Sequence, residues 1–100
     1  MRVHWTDRAK ARLKDIEEYI AQDNPRVAKE QAEKILRRSM QLAEPPEIGK
    51  EVAGYHNDHF REVLLRPWRI FYLRQPTQID VITVLHYRQL LPADLLAFKN

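Results

Sequence analysis

Residues 60–86 read FREVLLRPWRIFYLRQPTQIDVITVLH, and this stretch decides the fold. Three runs rich in Val, Ile, Leu and aromatic residues, about 60–66, 68–74 and 78–86, are separated by Pro67 and by Gln75-Pro76-Thr77. That is the pattern of short strands joined by tight turns. Connections this short bring consecutive strands together antiparallel, so the second half of the chain is predicted to be a meander.

Upstream of the meander the apolar period changes. Ala9, Leu13, Ile16 and Ile20 fall at helical spacing, with Lys10, Lys14, Glu17 and Glu18 on the other side, which predicts an amphipathic helix from about Asp7 to Gln22. Thr6 is its expected N-cap, and Asp7 places a negative charge in the first turn, where the helix dipole favours it. Asp23-Asn24-Pro25 interrupts the pattern: Asn24 can cap, and Pro25 suits the first position of a new helix. Ala28, Ala32, Ile35, Ser39 and Leu42 then repeat at spacings of four and three, giving a second helix whose small residues allow close approach. Val3 to Trp5 reads as a short strand before the first helix, and Glu44-Pro45-Pro46-Glu47-Ile48-Gly49 as the loop into the meander. An amphipathic hairpin and a one-sided sheet each need the other's apolar surface. The expected class is α+β, ordered β-α-α-β-β-β, with the helical hairpin on one face of a mostly antiparallel sheet. Leu90, Leu91, Leu95, Leu96 and Phe98 make a short apolar C-terminal helix or tail. With 100 residues, a single domain spanning 1–100 is expected.

Charge is distributed unevenly. Lys plus Arg exceed Asp plus Glu by 17 to 14, a net charge of +3. Residues 1–54 nearly balance, whereas within residues 60–90 Arg61, Arg66, Arg69, Arg74 and Arg88 face only Glu62 and Asp80. Arginine stays charged at every working pH and presents a planar fork of donors to phosphate or carboxylate, so arginines on strands suggest an outward, anion-gripping surface. Its partner would be nucleic acid or an acidic protein. Without cysteine there is no disulfide, thiolate metal site or cysteine nucleophile. With glycine only at 49 and 54, a phosphate-cradling glycine loop is excluded. His56-x-x-His59 with Asp58 reads as a polar turn, not a metal site, and neither metal nor cofactor is expected. Met1-Arg2-Val3-His4-Trp5 lacks the apolar run of a secretion signal, and no stretch approaches the ~18 apolar residues of a membrane span. A soluble cytoplasmic protein is expected.

Several residues, taken in order, resemble the ParE/RelE superfamily of bacterial toxins. They are Trp5-Thr6 with Ala9 and Leu13, Tyr19-Ile20-Ala21 before Asn24-Pro25, and Pro46 and Gly49 after the second helix. Arg61-Glu62-Val63, Trp68-Arg69-Ile70-Phe71-Tyr72, and Val84-Leu85-His86 followed by Arg88 complete the set. The resemblance spans nearly the whole chain. It implies the toxin of a type II toxin–antitoxin pair, held in a hetero-oligomer by an antitoxin whose extended or helical, often acidic, tail wraps around it. RelE-like members cleave messenger RNA in the ribosome; ParE-like members inhibit DNA gyrase without known catalytic residues.

A ribonuclease of this kind needs a base, an acid and cations around the scissile phosphate. Arg61 and Arg69 are candidates for the phosphate, His86 or Glu62 for proton exchange, and Tyr87 for stacking on a base. Arg69, His86 and Tyr87 resemble the set of one histidine-containing RelE-like subgroup. If Gln75-Pro76 centres the last turn, Arg69 faces Ile82 and His86 shares its side of the sheet, roughly 13 Å along the strand. Against this, the segment from Glu47 to Phe60 supplies only Lys50, where lysine-rich ribonuclease members carry several cations. The favoured reading is therefore a ParE-like gyrase binder without favoured catalytic residues. Its target- or antitoxin-binding surface would be Arg61, Arg66, Trp68, Arg69, Phe71, Arg74 and Arg88, with Trp68 and Phe71 exposed. The alternatives are a RelE-like messenger endoribonuclease and a non-toxic domain that only pairs with antitoxin.

Overall fold

The computed structural model describes residues 1–46, 48–92 and 95. Strand β1 (Arg2–Trp5) leads into α1 (Asp7–Ala21) and α2 (Pro25–Met40), and a 3-10 turn over Gln41–Ala43 follows. The sheet is completed by a two-residue β2 (Lys50–Glu51), then β3 (Phe60–Leu65), β4 (Trp68–Arg74) and β5 (Gln78–His86). Both helix starts obey the expected chemistry. The Thr6 side chain accepts from the Ala9 amide and Asn24 from the Val27 amide, with Pro25 in the first turn. Each cap satisfies a backbone donor that the helix itself leaves open.

The five strands lie in the order β1-β5-β4-β3-β2. The last three form the antiparallel meander, and β1 returns to pair parallel with β5, His4 opposite Asp80. One face carries the helical hairpin. Val63, Trp68, Ile70, Tyr72, Ile79, Val81 and Val84 pack there against Ala9, Ile16, Ile35 and Leu42. Ser39, fully buried on α2, is satisfied by accepting from Trp5 Nε1 at 3.0 Å and donating to the Leu36 carbonyl at 2.7 Å.

The other face is apolar too. Phe60, Phe71 and Leu85 are covered by Val52, Tyr55, Leu91 and Leu95, and Tyr55 donates to the Pro92 carbonyl at 2.6 Å. The segment leaving β5 thus returns beneath the sheet. The expected C-terminal helix or tail falls largely outside the described residues, Leu96 and Phe98 included. Because both faces are buried, the strands read as almost unbroken apolar runs instead of alternating ones. Trp68 and Phe71 accordingly are not the exposed contact residues expected from sequence. Trp68 packs toward α2 and donates to Gln31 at 3.1 Å, and Phe71 is completely buried on the second face.

Pro46 and Gly49 acquire a reason. The buried Tyr72 hydroxyl donates to the Pro46 carbonyl at 2.8 Å and accepts from the Gly49 amide at 2.9 Å, fastening the loop after α2 beneath β4. A Cβ at position 49 would stand 2.5 Å from the Glu62 carbonyl oxygen and 2.7 Å from the Tyr72 hydroxyl. Only glycine lets the backbones approach this closely. Tyr72→Phe removes the partner of the buried Gly49 amide and of the partly buried Pro46 carbonyl, and is expected to lower stability by about 2 kcal/mol. Gly49→Ala should destabilise at least as much; urea melts check both, with a lowered midpoint and an unchanged slope.

Candidate functional site

The pairing of β4 with β5 decides which charged residues meet. The turn between them is centred one residue later than expected, on Pro76-Thr77, with the Gln75 amide bonded to the Gln78 carbonyl at 2.8 Å. That change moves the register by two and leaves every side chain on its expected face. A bulge does the opposite. Tyr72 pairs with Val81 but Phe71 pairs with Thr83, so Ile82 is an extra residue. Beyond it, the register is shifted by one, and a one-residue shift exchanges faces. Trp68 pairs with His86 and Arg69 with Leu85. His86 lies on the helical side, its ring 5.7 Å from the Trp68 ring in an edge-on contact. Arg69 is on the opposite side, so the expected sharing of one face by Arg69 and His86 is corrected.

Arg69 is engaged on that second face. It reaches diagonally across to β3 and forks onto Glu62, Nε to Oε1 at 2.8 Å and Nη2 to Oε2 at 3.2 Å, while its guanidinium lies 4.9 Å from the Phe71 ring centre. The Glu62 side chain is 9% exposed and that of Arg69 23%. A carboxylate this buried requires its partner. The bond from Glu62 raises the Arg69 pKa further, despite the opposing effect of burial. The cation is therefore retained at any working pH, and alkaline titration does not open the pair. The pair forms part of a groove of about 500 Å³ whose other walls are Ile48, Gly49, Lys50, Val63 and Leu64.

Arg61 and Arg74 lie at the other end of the sheet and brace a loop. Arg61 Nε and Arg74 Nη2 both donate to the Asp58 carbonyl, at 2.9 and 3.0 Å, and Arg61 Nη1 donates to the Gly49 carbonyl at 2.8 Å. His59 lies in the same loop, its Nε2 3.6 Å from an Asp58 carboxylate oxygen. Among the described residues, no three His, Cys, Asp or Glu side chains converge to hold a metal ion.

The remaining two arginines of the cluster are exposed at the end of the sheet opposite that loop. Arg66, in the β3–β4 turn, and Arg88, just past β5, form no ion pair among the described residues. Next to Arg88 stands Tyr87, 42% exposed, stacked on His86 at 4.9 Å and 29°. Arg88 lies 5.3 Å from the centre of the Tyr87 ring and donates from Nε to its hydroxyl at 3.0 Å. The Tyr87 amide donates to the Pro67 carbonyl at 2.8 Å, joining this turn to the one that holds Arg66. Two residues that sequence reasoning passed over hold the arrangement. Arg12 of α1 donates from Nε to the Val84 carbonyl at 2.7 Å and from Nη2 to Gln89 Oε1 at 2.6 Å, and the same Gln89 oxygen accepts from the His86 amide at 2.7 Å. The signal was slight: Arg12 sits one position from Leu13 on the apolar stripe, so its stem borders the core.

The candidate ribonuclease set is thus divided. His86 and Tyr87 share one corner, Arg61 is at the far end, and Arg69 with Glu62 is on the other face. Arg69→Ala leaves Glu62 buried without its cation and is expected to cost about 3 kcal/mol. Removing both charges with Glu62→Gln and Arg69→Met should cost less than that single change; chemical denaturation of the variants measures it.

A family model described as the ParE toxin of the type II toxin–antitoxin system parDE matches residues 3–91. Among solved structures, one titled as a chromosomal ParDE system from P. aeruginosa is similar in fold, with a TM-score of 0.72 at 19% identity, covering 86% of this chain and 95% of that one. No curated protein sequence matches. With the matched region running from β1 past the end of β5, the chain belongs to the ParE toxin family of type II toxin–antitoxin systems.

Proposed function

We propose that the chain is a single-domain toxin that acts in the cytoplasm by binding and inhibiting DNA gyrase, and that a cognate antitoxin silences it in a hetero-oligomer. The observation that carries this reading is the position of Arg69. Cleavage of RNA by the candidate set needs cations and a proton-transfer group around one phosphate, but Arg69 lies across the sheet from His86 with its fork filled by Glu62. Binding needs no such convergence. The exposed corner of Arg66, Tyr87 and Arg88 supplies charge and an aromatic surface on a braced frame, which is what an interface hot spot uses.

For the antitoxin, the open edge of the sheet is the proposed seat. β2 covers only Arg61 and Glu62 of β3, so Val63–Leu65, paired with β4 on one side, have no strand on their outer side among the described residues. Leu64 and Ile48, each nearly half exposed, flank that edge at the groove. An unpaired edge with apolar side chains invites an added strand. Arg61 and Arg69 were expected to pair with an acidic antitoxin; both are engaged within the chain, and Lys50 and Arg66 take that role in the proposal.

Two assays on purified chain test the reading, plasmid supercoiling by gyrase and message cleavage in a translating extract. Supercoiling should be inhibited, His86→Ala should leave inhibition within a few-fold of the parent, and no message should be cut. Cleavage abolished by His86→Ala would replace the binder with a ribonuclease. For the antitoxin seat, Leu64→Lys is expected to weaken the toxin–antitoxin complex tenfold or more while leaving the toxin's own melting temperature nearly unchanged. Undiminished affinity, read by titration calorimetry, would move the seat elsewhere.

A further inference from the structure

We infer that the corner formed by Arg66, Tyr87 and Arg88 binds single-stranded nucleic acid, stacking a base at Tyr87 and seating the backbone phosphates on the two guanidinium groups. This names what the proposed target-facing corner touches, and it rests on that reading only for the location of the site.

Three features carry it. The first is a continuous aromatic stack, Trp68 edge-on to His86 and His86 nearly parallel to Tyr87, that ends in an exposed ring. A stack that ends at the surface is extended most favourably by another planar ring, and every nucleobase offers one. An acidic peptide would satisfy the arginines but give the exposed part of that ring, which Arg88 approaches to 5.3 Å from its centre, no second planar partner.

The second is charge. Arg66 and Arg88 lie in adjoining turns joined by the bond from the Tyr87 amide to the Pro67 carbonyl, and neither forms an ion pair among the described residues. The sequence has no acidic residue between Glu62 and Asp80, or from Asp80 to Pro92. Glu62 is held by Arg69, and Asp80 accepts from His4 and Gln78 toward the start of β5. Nothing anionic from these strands and turns opposes a phosphate there.

The third is rigidity. Gln89 Oε1 receives both Arg12 Nη2 and the His86 amide, Arg12 Nε holds the Val84 carbonyl, and the Tyr87 amide is bonded to Pro67. The turn is fixed by these four hydrogen bonds before any ligand arrives, so little ordering is needed on binding. A single strand is favoured over duplex because the ring needs an unstacked base; paired bases present their faces only to one another.

Fluorescence anisotropy with labelled oligothymidylate and a duplex of equal length tests this on the intact chain. The single strand should bind more tightly than the duplex. Tyr87→Ala should weaken it about tenfold, with little change in the salt dependence, because base stacking is lost and phosphate contacts are kept. Tyr87→Phe, which keeps the ring, should stay within about threefold of the parent. Replacing Arg66 and Arg88 together by Ala should flatten the slope of log affinity against log salt by about 1.4, two single-strand phosphate contacts at about 0.7 each. Urea melts confirm that the variants stay folded, as expected for exposed positions. The inference is overturned if the single strand does not bind, if duplex binds equally well, or if Tyr87→Ala binds as the parent does. Gyrase inhibition without oligonucleotide affinity would overturn this inference and leave the gyrase reading standing; affinity without inhibition would do the reverse.

Discussion

One extra residue in β5 governs this molecule's chemistry. Ile82 has no partner on β4, and the pairing beyond it is displaced by one position, so His86 turns to the helical side and Leu85 to the other. The displacement suits the core. It puts Val84 against the helices with Ile70, and Leu85 against Phe60 and Phe71 on the second face. A continuous register would send Leu85 and His86 each to the face the other now occupies, placing an imidazole within the second apolar layer. Burying an unpaired polar ring there would cost free energy that the bulge avoids.

The same displacement divides the arginines into two kinds. Arg69, Arg61 and Arg74 are inward-acting: one holds Glu62, and two gather on the Asp58 carbonyl and fasten the loop before β3. Arg66 and Arg88 are outward-acting, kept at the surface by two turns that are bonded to each other. Five arginines within 28 residues look alike in composition, yet a guanidinium that satisfies a buried carboxylate contributes to the fold and has its best donors occupied. The net positive charge therefore overstates the surface available to a partner. Of these five arginines, the two exposed ones are at one corner, beside an aromatic ring, and that corner is braced by Arg12 from α1.

Much of the architecture was legible in the sequence because local rules and global packing agree in it. Thr6, Asn24 and Pro25 mark the helix starts through capping bonds that involve only near neighbours. The strand limits follow from Pro67 and the Pro76-Thr77 turn, which the three strands of the meander respect to within a residue. The bulge was not legible, since Val81-Ile82-Thr83 are all good strand residues and nothing local says which one lacks a partner. The second apolar layer was hidden for a related reason: Tyr55, Leu91 and Leu95 are brought to Phe71 by the path of the chain, and no periodicity records that. These gaps account for an expected exposed Phe71 and for Arg69 being expected on the same face as His86. Arg12 and Gln89 escaped notice because a long-range side-chain bond to a strand carbonyl leaves no pattern in either segment.

The displaced register is the premise of everything said about Arg69, His86 and the corner beyond them. Proton–proton contacts in a nuclear Overhauser spectrum of the folded chain read it directly. The account predicts cross-peaks between the Trp68 indole and His86 imidazole protons, and between the Arg69 side chain and the Phe71 ring, with none linking Arg69 to His86. A contact between the Arg69 side chain and the His86 ring would contradict it, restoring the two to one face and with them a phosphate-binding pair.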